Sequence, residues 1–189
     1  MSVVLTPRGL PVTTISPALA SAVHACEEQV LDYGSQAAAL FDALPLDPEC
    51  ALAQAYAAVL HLFRLTREGQ TRARSMAQLA LTGAAATPRE SALIAAIAAW
   101  ARDDLPGAVV ALDRWTRLDP TDLFAVKLLQ HLLFATGRTG DMLTSIGRSA
   151  VTLPHEPRVL GMLAFAQDQT GDHKGAERTA RLAVEIAPD

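Results

Sequence analysis

Cysteine, aromatic side chains and charge are all scarce in this chain of 189 residues: 2 Cys, 5% aromatic and 19% charged residues. Each scarcity excludes something. Cys26 and Cys50 stand without a second pair, which argues against a disulfide scaffold or a zinc module, and both read as small buried apolar side chains. The 11 glycines lack the every-third spacing of collagen, and 50% hydrophobic residues at a net charge of −4 do not fit intrinsic disorder. With 16 basic against 20 acidic residues and no concentrated basic face, a nucleic-acid or anionic-membrane surface is not expected. The longest apolar run, Ala92 to Ala101, is about half of the roughly 20 residues that a membrane span requires. Met1 to Pro11 lacks the basic stretch and apolar core of a secretory signal, so a cytoplasmic location is expected.

What is present is alanine-rich and apolar. A mean hydropathy of +0.21 with so little charge implies that some apolar surface faces a partner. Alanine favours helix and lets helices approach closely, whereas the few β-branched and aromatic residues make strands unexpected. Length fits one domain or one repeat array.

Proline marks the joints, because it ends one helix or opens the next. Pro88, Pro120, Pro154 and Pro188 follow one another at 32, 34 and 34 residues, close to the period of a helix-turn-helix repeat of about 34 residues. The last interval carries small residues at Ala164, Ala176 and Ala183, Gly171-Asp172 at a turn, and the ending Ile186-Ala187-Pro188. Glycine at 171 suits the left-handed conformation that closes a helix. In this pattern the interval resembles a tetratricopeptide repeat.

Earlier intervals depart from that pattern. Arg89 to Pro120 keeps Ala96 and Ala108 but has Trp115 at a small-residue position and Asp103-Asp104 in the turn. Leu123 to Pro154 keeps Gly137 yet places Gln130 and Met142 where small residues are usual. Cys50 to Ala86 and Ser16 to Leu44 read as two further pairs. Segments such as LDPECALAQAYAAVLHLFRL and LDPTDLFAVKLLQHLLFATG, within the run Leu46 to Asp189, are similar to the tetratricopeptide repeat protein 38-like family, whose members are longer than this chain.

Helix starts are signalled independently of the repeat. Thr87-Pro88-Arg89-Glu90 is a capping box, and Asp47-Pro48-Glu49, Asp119-Pro120-Thr121-Asp122 and Ser16-Pro17 share its cap-then-proline logic. The reading is an all-α, right-handed superhelix of five antiparallel helix pairs, at about 17–33, 35–44, 48–66, 70–83, 88–102, 105–118, 121–136, 141–153, 156–170 and 173–187. An extended arm over 1–15 precedes a single repeat domain over 16–189.

Such arrays bind through the concave face formed by the first helix of each pair. The resemblance implies that this groove is lined by His61 and Arg64; by Glu90, Leu93, Ile97 and Trp100; by Phe124, Lys127, His131 and Phe134; and by Arg158, Phe165 and Asp168. An aromatic floor with few polar groups suits a peptide or small molecule. Packing of the same residues on the amino-terminal helices or on a second subunit is the stronger reading.

His61 and His131 lack the i+4 histidine or carboxylate of a metal site, so no metal or cofactor is expected. Asp103-Asp104 and Asp119/Asp122 fall at helix ends, where carboxylates cap free N–H groups. Arg64, Arg67, Arg72 and Arg74 read as a solvated cluster. Esterase, Walker, zincin and dinucleotide-binding motifs are all missing.

The function expected is therefore a non-catalytic scaffold for a protein or peptide partner, self-associating as a dimer through an apolar stripe of Ala176, Ala180, Ala183, Val184 and Ala187. With no polar capping helix after it, that stripe is expected to stack on a second subunit. The alternative is a small-molecule binding protein or weak enzyme that uses His61, His131, Trp100 and Lys127.

Overall fold

Local sequence signals account for most of the helix ends in the computed structural model, which describes residues 2–83 and 87–188. Among the described residues ten α-helices follow a short hairpin: α1 (Pro17–Leu31), α2 (Leu40–Ala43), α3 (Ala51–Leu62), α4 (Arg67–Thr82), α5 (Pro88–Ala101), α6 (Leu105–Leu118), α7 (Leu123–Ala135), α8 (Thr139–Thr152), α9 (Pro157–Gln169) and α10 (His173–Ile186). Ala86, read from sequence as the end of the second pair, and the terminal residues Met1 and Asp189 lie outside the described residues.

Side-chain caps open most of these helices. Ser16 accepts from the Leu19 N–H, Thr66 from Gly69, Asp104 from Gly107, Asp122 from Ala125 and Asp172 from Gly175. At α5 the full capping box forms, with Thr87 accepting from the Glu90 N–H and Glu90 accepting in return from the Thr87 N–H. Two expected starts move. Asp47 caps no helix; it is buried and accepts from the Thr14 hydroxyl at 2.6 Å and the Ile15 N–H at 2.9 Å, so α3 begins later, at Ala51. Asp119 instead closes a local turn on Thr121, leaving Asp122 as the α7 cap.

The first helix of each pair closes on a residue with positive φ: Tyr33 (55°), Leu65 (52°), Asp103 (65°), Gly137 (70°) and Gly171 (89°). The glycines meet this demand without penalty. A non-glycine residue there costs about 1–2 kcal/mol, because Cβ crowds the following carbonyl. Asp103 offsets part of that cost through bonds from Gln70 and Arg74.

The amino-terminal arm is not a lone extended segment. Ser2–Leu5 (β1) pairs antiparallel with Pro11–Thr14 (β2), matching Ser2 with Thr14 and Leu5 with Pro11, across a turn in which Gly9 has φ 74°. Whole-chain composition hid this hairpin, because the β-branched residues Val3, Val4, Val12, Thr13 and Thr14 are concentrated there. The second expected helix is also shorter. Only α2 is α-helical, flanked by single 3₁₀ turns at Ala37–Ala39 and Leu44–Leu46, where Pro45 lacks the N–H that would extend it.

The chain forms two compact units, residues 1–111 and 112–189. In the first, α3 is central: eleven of its twelve residues are buried, and it packs against α1, α2, α4, α5 and β2. A helix apolar all round requires such enclosure. Three charged or polar side chains inside this unit bond to one another. Arg89 on α5 donates to Glu27 of α1 at 2.6 Å and to the Tyr56 hydroxyl of α3 at 3.0 Å, and that hydroxyl donates to Glu27. In the second unit α7, α8, α9 and α10 pack in succession.

Two of the three departures from small residues, Trp115 and Gln130, have a local explanation in that unit. The Trp115 indole N–H donates to Asp122 at 2.9 Å, joining the end of α6 to the α7 cap. Gln130 donates to the Met142 carbonyl at 3.1 Å and to Ser145 at 2.7 Å, which stitches α7 to α8 through polar bonds.

Candidate functional site

Groove residues fall in both compact units. In the amino-terminal unit, most are interior. Leu93 and Ile97 are core residues of α5. Glu90 accepts from the Thr13 N–H at 2.6 Å and its hydroxyl at 2.7 Å, and it also closes the α5 capping box. Its carboxylate therefore pins the hairpin to α5, a task that occupies both oxygens. Trp100 is buried and stands edge-on to Phe63, with centroids 5.7 Å apart.

His61 is buried at the end of α3, its ring 4.9 Å from Phe41. Burial, and then repulsion from Arg72 and Arg64, hold its imidazole below the ordinary range, with Glu68 opposing them in part. It is thus neutral near pH 7. The helices meet closely here, since a Cβ on Gly69 would lie 2.5 Å from the His61 carbonyl oxygen. Arg64 alone among these residues is exposed.

The carboxyl-terminal unit presents a different surface. Phe124 is core, but Lys127, His131 and Phe134 fall on one face of α7 by their i, i+4, i+7 spacing and are half-buried, half-buried and exposed. From α9, Phe165 meets Phe134 edge to face at a centroid distance of 5.1 Å and an interplanar angle of 63°. Both rings remain open, at 47% and 44% exposure. An aromatic pair that keeps nearly half its surface in water while contacting itself is a ready platform for an apolar side chain.

Burial, and then the Lys127 ammonium, hold the His131 imidazole below its usual range, so it serves this face as a neutral hydrogen-bonding ring. Arg158 is half-buried at the start of α9, and exposed Asp168 pairs with His173 at 2.9 Å. The four residues of the small-molecule reading are not alike: His61 and Trp100 are interior, whereas Lys127 and His131 border the α7–α9 face. Among the described residues no group of three or more His, Cys, Asp or Glu side chains is placed to hold a metal ion. Among the described residues no helix is long and apolar enough to cross a membrane.

On α10, Ala180, Val184 and Ala187 are exposed, Val184 at 64%, while Ala176 and Ala183 are half-buried on the side that meets α9. An open depression there is lined by Glu177, Ala180, Arg181, Val184 and Glu185. Sequence reasoning missed Leu65, which is 85% exposed at positive φ in the α3–α4 turn. A leucine at the position that Gly137 and Gly171 hold in later pairs was the available signal.

No family model matches the chain, and no curated protein matches it. Solved structures do. YrrB, described as a TPR protein with an unusual peptide-binding site, is similar at 19% identity and a TM-score of 0.50 over 91% of this chain and 83% of its own. The MamA protein is similar at 14% identity and a TM-score of 0.50 over 89% of this chain and 91% of its own. At such identities the likeness is one of fold, and the fold is the all-α helical-pair repeat of tetratricopeptide proteins.

Proposed function

We propose that this protein is a non-catalytic interaction scaffold that takes a peptide or protein segment on the α7–α9 face and associates with its own copies through α10. A cytoplasmic location belongs to the same reading. The observation that carries it is the Phe134–Phe165 pair, open to solvent beside Lys127, His131 and Arg158. The mixture of cationic groups and rings favours a segment with an apolar or aromatic anchor next to a carboxylate. The peptide-binding site of YrrB lends this choice of partner support by analogy of fold.

Panning a random peptide library against the full chain tests it. Enriched peptides should carry that anchor-plus-acid pattern, and Phe134→Ala or Phe165→Ala should weaken their binding about tenfold or more with an unchanged helical circular dichroism spectrum. Binding indifferent to both substitutions overturns the assignment. For α10, sedimentation of the wild type across a concentration series should show oligomers that Val184→Asp dissolves. A strictly monomeric wild type refutes the self-association.

A further inference from the structure

Leu65 sits where the fold gives it least reason to be leucine. Its backbone is left-handed, a conformation that glycine adopts freely and leucine does not, and its side chain is 85% exposed, so packing within the chain returns little for the strain. Asp103, at the equivalent turn, is tied down by Arg74 and Gln70. Arg64 and Arg67 flank Leu65, both exposed; beside them Glu68 is paired with Arg72 at 2.6 Å. The α3–α4 turn thus offers one aliphatic knob between two guanidinium groups.

The α10 depression has the opposite character. Ala180 and Val184 give an apolar floor, and Glu177 and Glu185 stand at its rim, with Arg181 paired to Glu177 at 2.7 Å. Ala180 is small, which leaves room above the helix for a branched side chain from outside. Arg181 competes for Glu177, while Glu185 stands nearer the end of the helix, toward Pro188.

We infer that the partner seated on α10 is the α3–α4 turn of a second copy of this chain, with Leu65 over Ala180 and Val184 and Arg64 and Arg67 toward Glu185 and Glu177. This rests on the self-association proposed above and changes its symmetry. The contact is heterologous, joining two different surfaces, so a dimer keeps one free head on one copy and one free tail on the other. Charge complementarity favours this pairing over α10 against α10, because the depression carries two acids to one arginine and so attracts Arg64 and Arg67 more than it attracts a second copy of itself.

Mixing of variants decides the matter. Leu65→Asp removes the head and leaves the tail, whereas Val184→Asp removes the tail and leaves the head. Both positions are exposed, and circular dichroism verifies that the variants fold. Each alone should sediment as a monomer near 20.0 kDa, and an equimolar mixture should recover a dimer, because one intact head then meets one intact tail. Raised salt should weaken that dimer.

Three results overturn the inference. A mixture that stays monomeric means that Leu65 of one copy does not seat on Val184 of another. Leu65→Asp that assembles like the wild type leaves α10 as the interface but with another occupant. A monomeric wild type removes the underlying self-association itself. Leu65→Gly provides a second variant that relieves the strain; it should keep or raise the melting temperature while weakening assembly at least tenfold. A lowered melting temperature with unchanged assembly assigns Leu65 to internal packing and likewise refutes the proposal.

Discussion

Replacing Glu27 with leucine tests whether the buried Glu27–Arg89–Tyr56 cluster holds the amino-terminal unit together. Leucine is similar in volume, so little cavity forms and the change falls on the polar bonds. Arg89, buried and bonded to Glu27 at 2.6 Å, loses its carboxylate, and the Tyr56 hydroxyl loses the acceptor it donates to. Removing one partner of a buried ion pair costs about 3–5 kcal/mol, since the remaining charge has no counterpart. At roughly 2–4 °C per kcal/mol for a chain of this size, the melting temperature should fall by roughly 6–20 °C. Urea unfolding is best followed by the fluorescence of Trp100, which lies in that unit, in a Trp115→Phe background. The double variant Glu27→Leu/Arg89→Met should recover at least half of the loss, because it leaves no buried charge. Full recovery is not expected, since Tyr56 still lacks its acceptor. A single variant within about 1 kcal/mol of wild type refutes the reasoning.

Turn chemistry gives a reciprocal pair: Leu65→Gly should stabilise by about 1 kcal/mol, and Gly171→Ala should destabilise by about as much. A Cβ at Gly171 meets nothing within 4 Å, so conformation alone sets that cost, which matched denaturant curves would show. His61 and His131 both have folded pKa values below the ordinary one, so near and below pH 6.5 the unfolded chain binds more protons than the native one. Stability should therefore fall as pH drops from about 7 toward their native pKa values, and His131→Gln should flatten that slope; a slope of opposite sign refutes the assignment. At Asp113 burial raises the pKa, but hydrogen bonds and charge from Arg117 and Arg148 outweigh it and hold the carboxyl low, so its contribution is present above pH 4 and lost below. Burial pushes Cys26 up to about 12, with Glu27 adding to it, and burial raises Cys50 as well; an aromatic disulfide reagent should label neither thiol at pH 8 until the chain unfolds.

The helices were legible because their signals are local. Proline, capping residues and turn glycines act within a few residues of themselves, and they placed most helix ends close to the observed ones. The hairpin was not legible from composition, because its stability depends on Glu90, distant in sequence, accepting from Thr13. The same bond explains why Glu90 lies inside: one carboxylate both caps α5 and anchors a strand, and only the first task shows in the sequence. For the groove, the repeat pattern named the residues on the first helices but not which remain uncovered. Leu93, Ile97 and Phe124 became core, whereas Phe134 and Phe165 kept their surface.

Five turns pose one geometric demand and receive different answers, and Tyr33 at the first meets it, like Leu65, with a side chain 85% exposed. Gly137 and Gly171 satisfy it with the residue that costs least, and Asp103 satisfies it by recruiting Arg74 and Gln70. Leu65 meets it at a cost that its own side chain, 85% in solvent, does not recover within the chain. A fold under selection for stability alone would replace that leucine with glycine, so its presence points outward, to a contact made with another molecule. Strain therefore locates a candidate interface that neither helix periodicity nor resemblance to other repeats brings out, and the flanking arginines narrow what fits it.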